Sequence, residues 1–138
     1  GGGGMAIRIK QKKQNMVDVR FSDWVKNLQK GEERRLVLLA FFIPGRYPSF
    51  TMSLTDGKYR IRKSFSTSNV EILEELRKWY KTIKEAKGRV IFVVKKTDEE
   101  IILDMEGVEE GDYIYAPDSN GSLILRQLKN YLDENIPF

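Results

Sequence analysis

Asp56-Gly57 stands between two stretches of strict alternation, and that pattern commits the chain to an antiparallel hairpin. Phe50 to Leu54 alternates apolar with polar side chains. Lys58 to Phe65 alternates again, with Tyr59, Ile61 and Phe65 on one face and Lys58, Arg60 and Arg62 on the other. An isolated hairpin is marginal in water, so further strands must complete a sheet. Leu36–Ile43 is apolar on both faces and ends at Pro44-Gly45, and Arg89–Lys96 is apolar from Val90 to Val94. Such strands lie inside a sheet covered on both sides, or covered on one side by a partner. Val17, Val19 and Phe21 alternate as a short strand does, and Glu100–Met105 reads as a last strand, reached through Thr97-Asp98-Glu99.

Three helices are predicted around these strands. Ser22 is placed to cap Asp23–Lys30, which Gly31 closes and which buries Trp24, Val25 and Leu28. Ser66 to Asn69 offers caps for Val70–Lys87, whose apolar stripe is Ile72, Leu73, Leu76, Trp79, Tyr80 and Ile83. Glutamates gather near its start and lysines near its end, which suits the helix dipole, and Gly88 is the expected C′ residue. Gly107 to Gly111 reads as an acidic loop, and Leu123–Glu134 as a terminal helix. That helix is apolar round more than half its circumference, which predicts a homo-oligomer. The fold class that follows is α+β: a mainly antiparallel sheet of about five strands, the long amphipathic helix on one face, and the terminal helix. A single domain over residues 17–138 is expected, after a basic segment at 5–16 and a Gly1–Gly4 leader foreign to the natural chain.

The 138 residues contain no Cys and no His, which removes disulfides, thiolate metal sites, histidine bases and Ser-His-Asp triads. No phosphate-cradling glycine motif occurs, and neither an enzyme nor a cofactor is expected. The only candidate metal ligands are Asp104, Glu106, Glu109, Glu110 and Asp112, whose spacing matches no EF-hand loop; a solvated acidic turn is the simpler reading. The longest apolar run has eight residues, no secretory leader is recognisable, and a cytoplasmic protein away from membranes is expected. The bias towards Lys, Glu, Arg and Ile matches thermophile proteins. Charge is uneven: residues 1–69 hold 14 basic and 5 acidic side chains, a balance of +9, and residues 70–138 hold 10 and 15, a balance of −5. The basic half points to a polyanion.

The hairpin gives that charge a position. On a pleated strand Lys58, Arg60 and Arg62 recur about 7 Å apart, near the spacing of phosphates along an extended single strand. Thr51 and Ser53 share their face, while Arg46, Tyr47 and Phe50 precede the hairpin turn and Lys63 and Phe65 follow it. Cations interleaved with rings form a platform for single strands. Arg46, Lys58, Arg60, Arg62 and Lys63 are the predicted phosphate contacts, and Tyr47, Phe50, and Trp79 or Tyr80 the stacking rings. Phe41 and Phe42 cannot both face one core, so one of that pair is expected at a surface. The competing reading is a solvated face whose Lys and Arg discourage edge pairing. Single-stranded DNA is the expected partner, with RNA on the same surface, a protein-assembly role, or a Mg²⁺-dependent nuclease at Asp104 as alternatives.

In layout, the early helix with Trp24, the antiparallel sheet with its basic hairpin around Asp56-Gly57, and the long helix Val70–Lys87 resemble the ThermoDBP family of archaeal single-stranded DNA-binding proteins. The resemblance spans most of Val17–Phe138 and rests on layout, not on a short signature. It implies an oligomer with bases in an aromatic-lined cleft and phosphates on basic residues.

Overall fold

The computed structural model describes residues 6–7, 16–43 and 49–134. In chain order these form β1 (Val17–Arg20), α1 (Phe21–Trp24) with a 3-10 turn (Val25–Asn27), β2 (Glu33–Phe42), β3 (Ser49–Thr55) and β4 (Tyr59–Ser66). Then come α2 (Val70–Glu85), β5 (Lys87–Lys96), β6 (Ile101–Pro117), β7 (Leu123–Gln127) and α3 (Leu128–Glu134). The α+β class holds, but seven strands are seen, in the order β1-β4-β3-β2-β5-β6-β7. All neighbours are antiparallel except β1 and β4, which run parallel. Because β2 pairs with β7 as well, the sheet closes into a barrel through β2, β5, β6 and β7. The sheet is therefore not an open one with helices laid across a face. Its inner side takes Leu76, Trp79 and Ile83 from α2 into one core with Leu36, Leu38, Phe41, Phe92 and Tyr115.

Closure requires β2 to change partner midway. Leu36 and Val37 face Phe92 and Ile91 of β5, while Ala40 and Phe41 face Ile124 and Leu123 of β7. The β5 register, if continued, would set Leu38 opposite Val90, and there the two strands part. The hydroxyl of Tyr115 bridges the gap: it accepts from Val90 N at 2.8 Å and donates to Leu38 O at 2.9 Å. Two buried backbone groups that a normal ladder would have paired are thus satisfied by one side chain. Tyr115 is 1% exposed. Burial pushes its phenol well above the ordinary value, outweighing the bond from Val90 N and the Arg89 charge, so it remains a neutral donor.

Bulges supply the bending. Leu39 is the extra residue of β2 between Leu38, opposite Leu54, and Ala40, opposite Ser53. On β6, Glu106 intervenes between Met105, opposite Phe92, and Gly107, opposite Ile91. Gly111 to Tyr113 intervene between Glu110, opposite Gly88, and Ile114, opposite Lys87. The segment 107–111 is therefore strand, not the expected acidic loop, with its glycines near the bends of one long curving element. Gly88 is not a helix C′ residue: α2 ends at Glu85, and Gly88 lies in β5 at φ +146°, where a Cβ would stand 2.1 Å from Glu109 O.

Two predicted helices shrink. Asp23–Lys30 becomes the four residues of α1 and the 3-10 turn; Ser22 falls inside α1, which has no side-chain cap. Lys96 Nζ closes the segment by donating to Leu28 O at 2.9 Å and Val25 O at 3.4 Å. Leu123–Glu134 splits into β7 and the seven residues of α3. Leu123 is fully buried, and pairing with both β2 and β6 wins over helix formation at this apolar run. Of the apolar side chains credited to an oligomerising helix, Leu123, Ile124 and Leu125 belong to β7, while Leu128, Tyr131 and Leu132 stay on α3, which buries none of its residues. No helix among the described residues is long and apolar enough to cross a membrane.

Replacing Tyr115 by Phe should lower stability by about 2–4 kcal/mol, because Leu38 O and Val90 N lose their shared partner inside the core. Urea unfolding should register this as a lower midpoint at unchanged slope.

Candidate nucleic-acid interface

The predicted hairpin is present, and Asp56 organises its turn. Asp56 Oδ1 accepts from Lys58 N and Tyr59 N, both at 2.8 Å, and Oδ2 accepts from Trp24 Nε1 at 3.0 Å. Thr55 Oγ1 accepts from Gly57 N at 2.9 Å. Thr55 consequently pairs with Arg60, and the strand begins at Tyr59 instead of Lys58. Lys58 sits in the turn, its ammonium 5.1 Å from the centre of the Tyr59 ring. Burial works to raise the Asp56 carboxyl, but the bonds from Tyr59, Lys58 and Trp24 outweigh it and hold the group below the usual carboxylate range.

From this turn the register propagates in cross-strand rows on the outer face. One row runs Asp18, Arg60, Thr55, Val37 across β1, β4, β3 and β2. The next runs Arg20, Arg62, Ser53, Ala40, Ile124 and reaches β7. A third runs Ser64, Thr51, Phe42, with the two hydroxyls 3.2 Å apart. Phe41 is buried and Phe42 is 37% exposed, so Phe42 is the member of that pair at the surface. Small side chains in the middle row leave a depression of about 240 Å³ between Phe42 and Arg60, floored by Ala40 and Ser53.

Charge on this face differs from that on the rest of the barrel. Arg35 meets Glu106 at 2.9 Å, Lys95 meets Glu33 at 3.8 Å, and Arg89 holds Glu109, so three of the cations of β2 and β5 meet carboxylates across the sheet. On β4, Arg60 reaches Asp18 only at 3.9 Å, and Arg62 has no ion pair among the described residues. Such exposed pairs contribute little energy, but they set which positive charges stay available. Asp104, Glu106, Glu109, Glu110 and Asp112 are strung along β6, and no three acidic groups among the described residues converge as metal ligands.

The other predicted contacts separate. Lys63 points to the inner side, over Phe21 at 5.6 Å and Phe65 at 5.1 Å, because it is out of phase with Arg60 and Arg62. Trp79 is 8% exposed and packs edge-on against Phe92 and Phe65, which makes it a core residue. Tyr80 packs against Phe41 and donates its hydroxyl to Gly121 O at 2.9 Å. Phe50 is half-buried, 5.6 Å from Phe41. Arg46 and Tyr47 lie outside the described residues. Arg60 and Arg62 thus share the outer face with Phe42 and Arg20, neither of which was among the predicted contacts. Phe42 was legible only as half of a pair, and Arg20 only as the polar phase of a short strand whose neighbour the sequence does not name. No protein-family model, curated protein or solved structure matches the chain.

The Asp56 network has a pH signature. Its folded carboxyl lies below the unfolded value, so its stabilisation is complete above about pH 4 and is lost as pH falls through the folded pKa. Asp56→Asn should be less stable than the parent at neutral pH by about 1–2 kcal/mol, allowing for partial exposure. Urea midpoints measured down to about pH 2 should find that difference closing below pH 4.

Proposed function

We propose that the protein binds single-stranded DNA without catalysis and with little sequence preference, across the outer face of β1, β4, β3 and β2. The observation that carries this reading is the uncommitted Arg62, flanked by Arg60 and Arg20 on a face that also presents Ser64, Thr51 and the phenyl of Phe42. The guanidinium groups engage phosphates, and the hydroxyls donate to phosphate or to base edges. Phe42 offers one stacking surface, which contributes about 1–3 kcal/mol for a single base. Trp79 and Tyr80, packed in the core, are left out of the contact set, and Lys63 stands at the margin. The ThermoDBP-like layout is compatible with this reading and belongs to the same proposal.

Titration of labelled oligothymidine at several salt concentrations tests it. Affinity should fall steeply as salt rises, and Arg60→Ala or Arg62→Ala should each flatten the log–log slope by about 0.7. Phe42→Ala should weaken binding about 5- to 100-fold while leaving the slope unchanged. Matched DNA and RNA oligomers in parallel separate the two nucleic acids, since they differ in the 2′-OH and sugar geometry. Absence of binding at low salt, or binding that salt does not affect, overturns the reading.

A further inference from the structure

Where β1 ends, the chain leaves β4 and turns into α1, opening a notch of about 480 Å³ lined by Arg20, Phe21, Ser22, Arg62, Lys63 and Ser64. Arg20 and Arg62 are register partners in the parallel pair, two like charges directly opposite on one face. Such a pairing is unfavourable unless an anion lies between the groups. Arg20 has only a long, exposed contact with Asp23 at 3.7 Å, and Asp23 is shared with Lys26 at 3.4 Å. Arg62 and Lys63 have no carboxylate partner among the described residues, and Asp18, the one acid of β1, faces Arg60. Ser22 lies inside α1 with a hydroxyl that makes no hydrogen bond among the described residues, and Ser64 Oγ touches only Thr51. Beyond Arg62, β1 no longer covers the edge of β4.

The geometry points to a phosphate-binding subsite in this notch, with Arg20 and Arg62 gripping the oxygens and Ser22 and Ser64 donating from the walls. Lys63, whose ammonium lies over the rings of Phe21 and Phe65, adds positive charge from the inner side. The ligand is a phosphate group, carried free, at a chain end or within a nucleic-acid backbone; forked guanidinium groups suit all three. This assignment extends the nucleic-acid reading and can stand without it.

Thermal unfolding of the full chain in inorganic phosphate and in chloride of equal ionic strength provides the test. Phosphate should raise the midpoint with a logarithmic dependence on concentration. Arg20→Ala and Arg62→Ala, both at exposed positions, should each weaken the apparent phosphate affinity about 10- to 100-fold. Their midpoints in chloride, at or above that of the parent, would verify that the fold persists. Equal midpoints of the parent in the two salts, or a phosphate increment that survives the double variant, overturns the subsite. A second arm compares 5′-phosphorylated with 5′-hydroxyl oligothymidine. Tighter binding of the phosphorylated oligomer assigns the notch to a chain end, and equal binding with competition by phosphate assigns it to the backbone. Stabilisation by phosphate without binding of either oligomer keeps the notch and removes the nucleic-acid reading.

Discussion

The hydroxyl of Tyr115, set between Val90 N and Leu38 O, is the joint on which the architecture turns. A strand can offer each backbone group to only one neighbour, so β2 cannot remain on β5 and also meet β7. Tyr115 resolves this by completing the ladder at the fork, which allows β2 to leave β5 without abandoning buried polar groups. The consequence reaches the outer face. The row Arg20, Arg62, Ser53, Ala40, Ile124 is continuous only because β2 has reached β7 by the time it presents Ala40. An open sheet with β2 paired to β5 throughout would carry that row from Ala40 to Gly88 of β5 instead of to β7.

The same curvature sorts the charges. β5 and β6 form the most extensively paired strands, and Arg89 meets Glu109 across their ladder. β4 and β3 have no acidic residue and β1, on the other side of β4, has one, so the arginines of β4 meet no comparable set of carboxylates. Individual surface pairs are weak, yet their distribution leaves Arg62 without one among the described residues. Among the described residues, β1 to β4 come from the basic half of the chain and β5 to β7 from the acidic half.

The hairpin, the central strands and the long helix were legible because their signals are local: alternation, a turn dipeptide, and an apolar stripe beginning after a capping asparagine. Asn69 Oδ1 does accept from Glu71 N at 2.9 Å. What local pattern does not contain is partner choice. Leu123–Leu125 satisfies helical and strand periodicity equally well, and only the open edges of β2 and β6 decide between them. Phase explains the site in the same way. Arg60 and Arg62 were placed correctly because a strand alternates, and Lys63 was misjudged as their companion although the same rule sends it inward. Trp79 lies on the stripe of α2, yet its burial depends on Phe65 and Phe92 from two distant strands.

The proportions of the outer face bear on the kind of binding it can support. One exposed phenyl, Phe42, stands against three arginines, Arg20, Arg60 and Arg62. A stacking ring takes any base, and a serine or threonine hydroxyl both donates and accepts, so neither distinguishes one sequence from another. Sequence discrimination requires bidentate amide or guanidinium contacts to base edges; the outer rows contain no Asn or Gln, and the proposed mode assigns their guanidinium groups to phosphates. On the proposed reading, base contacts this sparse leave most of the free energy to phosphate contacts, which act through counterion release. A surface of this composition therefore favours an abundant polyanion held loosely at many registers over one sequence held tightly. In the proposed mode, the small floor of Ala40 and Ser53 would let a base approach the sheet beside Phe42 without selecting which base it is.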